Sequence, residues 1–188
     1  PLAGLAFWTV VRYGRHVKRP GSSRERLLFA GLAVVGLLIW GGINAYYSSQ
    51  NVFVYRDPAI YTVAGEWITK HSDLNIQVCD TFGDDKQFRA DTASFAAIKQ
   101  EPKRLYVHGA HLLPALLGLT GRIAGEANML RLNALIGAVA LAAFYGFAAL
   151  SVRPRWAALG TATLGATMPM IYFSRDTYTE LLSMAFCF

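Results

Sequence analysis

Charged residues are scarce in this sequence of 188 residues. Only 16% are Asp, Glu, Lys or Arg, and 54% are hydrophobic, whereas soluble domains carry about 25% charged residues. A soluble globular domain is therefore not expected, and nucleic acid is not an expected partner. The two cysteines lie in unlike surroundings, Cys79 in a polar stretch and Cys187 in an apolar one, without metal-ligand spacing. The sequence also lacks a Walker loop, a dinucleotide fingerprint, a zinc motif and a nucleophile elbow.

Long windows without charge hold most of the apolar residues. The window 27–46 has the length of about 20 residues that a membrane helix needs. The sequence predicts further spans over 129–152 and 156–174, and the start of another over 181–188. The fold class predicted is all-α integral membrane, a multi-span helical bundle. Because the sequence stops inside an apolar run, we expect the chain to be a fragment of a longer protein.

The basic residues predict the orientation of these spans. Residues 12–26 contain six Lys or Arg against one Glu, which accounts for most of the net charge of +6. The positive-inside rule assigns residues 12–26 and the turn Arg153-Pro154-Arg155 to the cytoplasmic side, so the N-terminal segment 1–26 is predicted to be cytoplasmic or interfacial. Residues 47–128 then form an external loop, and 175–180 form an external turn.

The external loop is predicted to carry juxtamembrane helices near 57–70 and 105–121. Asp57 followed by Pro58 is typical of a helix start, and apolar residues recur after it at helical spacing. The stretch 105–121 is either a short span or a second surface helix, and the orientation of the other spans favours the surface helix. Residues 71–103 predict turns and short strands.

This topology collects ionisable side chains at one face of the membrane. Asp57 is a candidate general base for an acceptor hydroxyl, and Asp176 and Glu180 are further acidic candidates. Candidates for binding a phosphate are Arg56, His108, His111, Arg131 and Arg175. Each also has a plainer interpretation: Asp57 as a helix cap, the arginines as headgroup anchors, the histidines as the polar edge of a surface helix, and the charges of 175–180 as helix terminators.

Four stretches occur in an order that resembles a known enzyme family. They are Arg56-Asp57-Pro58 to Trp67, Val107-His108-Gly109-Ala110-His111-Leu112-Leu113-Pro114, Asn128 to Asn133 with Arg131, and Tyr172-Phe173-Ser174-Arg175-Asp176-Thr177-Tyr178-Thr179-Glu180. In this order the chain resembles the C-superfamily glycosyltransferases that use polyprenyl-phosphate sugars, the group of the protein O-mannosyltransferases and the lipid A aminoarabinose transferase. The match covers most of residues 27–188.

The resemblance implies transfer of a sugar, with inversion, from a polyprenyl-phosphate donor to a hydroxyl of a glycan, lipid or protein acceptor. Asp57 would be the base, with Glu180 or Asp176 as a second acid, and the cations would neutralise the departing phosphate. The implied location is the inner membrane of a bacterium, with the site facing outside. No cofactor is implied, no metal ligand is assigned, and a divalent cation is left open. The alternatives are a transporter or flippase module for a lipid-linked saccharide and a non-catalytic scaffold subunit.

Overall fold

The computed structural model describes residues 20–49, 57–74, 76–77, 95–98, 101–107 and 111–188. Within these ranges the chain is mainly helical. In chain order the elements are α1 Ser23–Tyr46, α2 Asp57–His71, β1 Ile76–Gln77, β2 Phe95–Ile98, β3 Glu101–Val107, α3 Leu112–Ala124, α4 Glu126–Met129, α5 Leu132–Ser151, α6 Pro154–Gly165, α7 Met168–Ser174 and α8 Glu180–Cys187. The predicted helical class is confirmed, and the short strands are the departure from an all-α fold.

Among the described residues, two helical stretches are long and apolar enough to cross a bilayer. One is α1, with 24 residues, and the other is Glu126–Ser151, with 26 residues, which α4 and α5 form together. They run antiparallel, since Gly41 near the end of α1 lies against Ala138 in the first half of α5, while Gly21 lies beside Pro154. Two such helices favour association with a membrane, and the full number of spans stays a prediction.

Helix α1 begins four residues earlier than its apolar window. The hydroxyl oxygen of Ser22 accepts a hydrogen bond from the backbone N–H of Glu25 at 3.2 Å. A Ser followed three residues later by Glu is a common start for a helix, because the two residues can satisfy free N–H groups of the first turn. The cap therefore carries α1 beyond the hydrocarbon-length window and into the basic segment.

The predicted span 156–174 is two helices rather than one. Helix α6 ends at Gly165, and α7 begins at Met168. Pro169 explains the break, because a proline has no N–H to donate to the carbonyl four residues before it, which here belongs to Gly165. That carbonyl instead accepts a hydrogen bond from Nε1 of Trp40 at 2.8 Å. A neighbouring helix thus satisfies the acceptor that the proline leaves free, which is also how membrane proteins tolerate broken helices.

Helices α2 and α3 form a parallel pair. Gly65 of α2 meets Leu117 of α3, and further along both helices the carbonyl of Thr69 accepts a hydrogen bond from Nε of Arg122 at 3.1 Å. Because residue numbers rise together along the two helices, their first turns lie at the same end. With 13 residues, α3 is shorter than the roughly 20 that a span needs, and its position at the membrane surface stays a prediction.

A small antiparallel sheet lies between α2 and α3 in the chain. Within the described ranges, β3 is its central strand, with β1 on one side and β2 on the other. Ile76 is opposite Leu105 in one pairing, and Ala96 is opposite Tyr106 in the other. Strands β1 and β2 lie in the stretch 71–103, for which the sequence predicts turns and short strands. Strand β3 continues to Val107, so the start of the helix predicted near 105–121 is wrong: residues 105–107 pair in the sheet, and α3 begins at Leu112.

Helix α8 lies alongside α5 and runs in the same direction. Leu181 at its start is buried beside Gly137 of α5. Beyond its end, the ring of Phe188 lies 5.2 Å from that of Phe144 and 5.8 Å from that of Phe147, between centroids. Helices α1, α5, α7 and α8 therefore share one apolar core, to which α3 contributes two buried leucines.

Candidate functional site at the polar end of the bundle

The helices bring unlike residues to their two ends. At the basic end, the start of α1 meets the 153–155 turn, because Gly21 lies beside Pro154. The basic residues there are Arg24, Arg26, Arg153 and Arg155. At the polar end, α1 and α7 finish, α2, α3, α5 and α8 begin, and the 175–180 turn joins α7 to α8. The described part of the N-terminal basic segment, residues 20–26, therefore shares one end with the 153–155 turn. The side of a membrane that this end faces stays a prediction.

Asn133, in the first turn of α5, holds the turn between α7 and α8. Its side chain is fully buried. The amide nitrogen Nδ2 lies 3.2 Å from the carbonyl oxygen of Phe173, 2.5 Å from that of Asp176 and 2.8 Å from that of Tyr178. Two N–H groups are thus shared among three carbonyls. Its Oδ1 is buried without a hydrogen-bond partner in the described part of the chain. One side chain therefore donates to three carbonyls of the turn and its flanks.

The same turn docks on the first turns of α2. The hydroxyl of Thr177 donates a hydrogen bond to the carbonyl of Pro58 at 2.9 Å, and it lies 2.7 Å from the hydroxyl oxygen of Thr62. Both threonines are buried. Asp57 begins α2, immediately before Pro58, and its side chain lies outside the described part of the structure. Two regions almost 120 residues apart in sequence therefore meet beside Asp57.

Asp176 and Glu180 lie close to the hydroxyl of Tyr178. Burial raises the pKa of the half-buried Asp176 carboxyl above its ordinary value, although the N–H of Thr177, 2.8 Å from Oδ1, lowers it in part. The pKa of Tyr178 is raised first by its hydrogen bond with Tyr172 at 3.1 Å, then by burial, and then by nearby charges that include both carboxylates. A carboxylate with a raised pKa takes up a proton more readily, which suits Asp176 to general-base chemistry.

Arg175 faces the opposite side of the turn, towards α1. Its Nε donates a hydrogen bond to Oδ1 of Asn44 at 2.9 Å, and its guanidinium carbon lies 5.2 Å from the centre of the Tyr47 ring. Its carbonyl accepts a hydrogen bond from the N–H of Ser49 at 2.6 Å. Two residues of the turn, two positions apart, therefore contact different helices: Arg175 contacts α1 and Thr177 contacts α2.

Of the other four predicted cations, two are among the described residues and two are not. His111 is exposed and directly precedes α3, and Arg131 is exposed and directly precedes α5, where its Nη1 donates to Oδ1 of Asn128 at 3.2 Å. Both therefore lie at the polar end. Arg56 and His108 lie outside the described residues.

The described residues do not bring together three or more His, Cys, Asp or Glu side chains that could hold a metal ion. The requirement for a divalent cation therefore stays open, as the sequence left it. The carboxylates of the polar end can take part in chemistry as bases without a metal.

Sequence reasoning missed the uncharged side chains that assemble this site. They are Trp40, Asn44, Thr62, Asn133 and Thr177. A signal was available for two of them, because the two asparagines interrupt windows that are otherwise apolar. A polar side chain at such a position must find a partner, which in a membrane is supplied by a neighbouring helix.

Comparisons with known proteins assign no family to this chain. A scan of family models, a search of curated proteins and a search of solved structures each return no match.

Proposed function

We propose that this protein is a membrane glycosyltransferase that moves a sugar from a polyprenyl-phosphate donor to an acceptor hydroxyl at the outer face of a bacterial inner membrane. The hydrogen bond from Thr177 to Pro58 at 2.9 Å is the main support. Because Asp57 precedes Pro58 and Asp176 precedes Thr177, that bond brings the backbones of two candidate acids together. Two candidate acids on neighbouring backbones at the end of apolar helices suit a substrate that is part lipid and part sugar.

In the reaction proposed, the Asp57 carboxylate takes the proton of the acceptor hydroxyl. The acceptor oxygen forms a bond to the anomeric carbon of the sugar, and the bond from that carbon to the phosphate oxygen breaks. The electron pair leaves with the polyprenyl phosphate, so attack from the opposite face inverts the anomeric configuration. Asp176, with its raised pKa, is the second candidate for the base, and Glu180 is the third.

Negative charge develops on the departing phosphate, and cations placed beforehand stabilise it. Among the described residues, His111 and Arg131 are the candidates, since α3 and α5 begin directly after them at the polar end. Arg56 and His108 are proposed for the same role from the sequence. Arg175 was predicted with them, but its bond to Asn44 directs it towards α1, which favours a separate ligand.

The test is transfer of labelled sugar from polyprenyl-phosphate donors in vesicles that contain the complete protein. Asp57→Asn keeps the size of the side chain and can still cap α2, and we expect it to lower transfer by about 10²- to 10⁴-fold. Asp73→Asn is the matched control, because Asp73 lies beyond the far end of α2 and its contact with Nε1 of Trp67 needs only an acceptor. We expect this control to keep full activity.

Unchanged sugar transfer by Asp57→Asn would show that Asp57 acts as a helix cap and not as the base. Asp176→Asn and Glu180→Gln would then identify the base. A wild-type protein that transfers sugar from none of the donors would contradict the proposed function itself.

A transporter for a lipid-linked saccharide is the second candidate, because of the break between α6 and α7. Discontinuous helices often form substrate sites in transporters. However, transport sites commonly use ionisable side chains within the spans, and the sequence has none over 132–152 or 156–174. Movement of a fluorescent lipid-linked saccharide across vesicle membranes, without sugar transfer, would favour this alternative.

A further inference from the structure

An apolar groove runs between α1 and the α6–α7 pair. It encloses a volume of about 470 Å³, which is within the range of about 300 to 1,000 Å³ that is usual for ligand pockets. Its walls are mostly aliphatic and aromatic side chains. They include Phe29, Leu32, Gly36 and Trp40 of α1 and Ala158 and Ala162 of α6. Such a lining suits a hydrocarbon chain.

One end of this groove carries a positive charge. Asn44 and Arg175 both line it, and the hydrogen bond to Asn44 uses one of the five N–H donors of the guanidinium group. Among the described residues the ion pairs are those of Lys70 with Glu66 and Glu126, so Arg175 forms none there. A half-buried guanidinium favours an anion, and it binds phosphate oxygens well because its donors are fixed in a fork.

The groove follows most of the apolar length of α1. Phe29 and Asn44 mark its extent along α1, and a helix rises about 1.5 Å per residue, so the groove is about 22 Å long. A groove of this length can hold one acyl chain, because each leaflet contributes about half of a hydrocarbon core of roughly 30 Å. The exposed rings of Tyr46 and Tyr47 adjoin the Arg175 end, as expected for aromatic residues at the headgroup level.

We propose that this groove binds an anionic membrane phospholipid, with one acyl chain along α1 and its phosphodiester on Arg175. A single guanidinium balances the single negative charge of such a lipid, whereas a zwitterionic lipid brings an ammonium group of its own. The site is separate from the carboxylates proposed for catalysis, because Arg175 faces α1 and Thr177 faces α2. The proposal does not depend on the proposed function.

Two glycines of α1 allow a matched test. A Cβ atom added at Gly36 or at Gly31 would meet nothing within 4 Å, so a larger residue can be introduced at both without a backbone clash, but of the two only Gly36 lines the groove. The complete protein would be placed in nanodiscs of equal phosphatidylglycerol and phosphatidylcholine, and the lipid that it retains would be identified by native mass spectrometry. Helical circular dichroism checks that each variant is folded.

We expect the wild type and Gly31→Leu to retain phosphatidylglycerol about tenfold over phosphatidylcholine. Gly36→Leu should retain neither lipid, and Arg175→Gln should lose the preference. Equal retention of the two lipids by the wild type would overturn the proposal, as would equal retention of phosphatidylglycerol by Gly36→Leu and Gly31→Leu. Displacement of phosphatidylglycerol by added polyprenyl phosphate would also overturn it, in favour of the lipid carrier. If Arg175→Gln does not fold, the comparison of Gly36→Leu with Gly31→Leu decides by itself whether the groove binds the lipid.

Discussion

Helix α1 and the α2–α3 pair both contain several glycines, but the two regions use them in opposite ways. In α1, a methyl group added at Gly31, Gly36 or Gly42 would meet nothing within 4 Å. In the pair, Gly65 and Gly118 face the partner helix so closely that an added methyl group would overlap it. Glycine therefore leaves the surface of α1 open, whereas it allows the backbones of α2 and α3 to approach each other.

The two regions also differ in how they use polar side chains. Asn44 is the buried residue of α1, and its amide serves the backbone of α1 and Arg175. At the polar end, by contrast, buried hydroxyl and amide groups join α2, α5 and the 175–180 turn. The comparison teaches that the open apolar surface of α1 suits contact with lipid, whereas the polar end is an assembly of specific hydrogen bonds, as the proposed site requires. The following changes test that contrast.

The largest loss of stability is expected from Asn133→Leu. Leucine is similar in size but leaves the carbonyls of the turn without their shared donor, at a cost of about 3 kcal/mol in the free energy of unfolding. Thermal unfolding in detergent micelles measures the change. Asn128→Leu is the control, because Asn128 is exposed and bonds only locally, to Ala124 and Arg131. Equal losses in the two variants would show that Asn133 does not organise the polar end.

Gly118→Ala should cost about 2 kcal/mol, because the new methyl group overlaps the side chain of Ile68 and forces α2 and α3 apart. Gly36→Ala is the same substitution in the open surface of α1. It should leave stability unchanged or raise it by up to about 1 kcal/mol, since alanine favours helix more than glycine does. The same unfolding assay compares the two variants. Similar changes in stability at Gly118 and Gly36 would contradict the idea that the two regions use glycine in opposite ways.

Thr177→Val should cost about 1 kcal/mol, because valine keeps the shape but loses the hydrogen bond to Pro58. Thr161→Val is the control, since Thr161 is also buried but bonds only to a carbonyl of its own helix, that of Ala157. Thr177→Val should also lower sugar transfer, because it loosens the turn from α2. Unchanged transfer and stability would mean that this contact does not position the site.

Much of α1, α2 and the arrangement of the ends could be predicted from the sequence. Hydropathy predicts the end of α1 at Tyr46, and Asp57-Pro58 predicts the start of α2, because both signals lie within a few neighbouring residues. The shared basic end follows from the positions of arginines in the chain. These features need no knowledge of which distant residues touch.

The links that assemble the site could not be predicted in the same way. Asn133 bonds to residues 40 to 45 positions later, and Thr177 bonds to a carbonyl 119 positions earlier. Hydropathy does not record such pairs, since they depend on how the helices pack. The break between α6 and α7 had a local signal in Pro169, but its stability depends on Trp40, which is 125 positions from Gly165.

The smallest expected effect is a pH dependence from Asp176. Burial raises the pKa of this carboxyl in the folded protein, so the folded state binds the proton of Asp176 more tightly than the unfolded state does. The resulting stabilisation is present below the ordinary pKa and is lost as pH rises through the raised pKa. Asp176→Asn removes the charge, and its side-chain oxygen can still accept from the N–H of Thr177. We therefore expect the variant to match the wild type at acidic pH and to be slightly more stable at neutral pH, by thermal unfolding across that range. A variant that is less stable at neutral pH would show that the charge of Asp176 is paired rather than merely buried, and would place a cation beside it at the polar end.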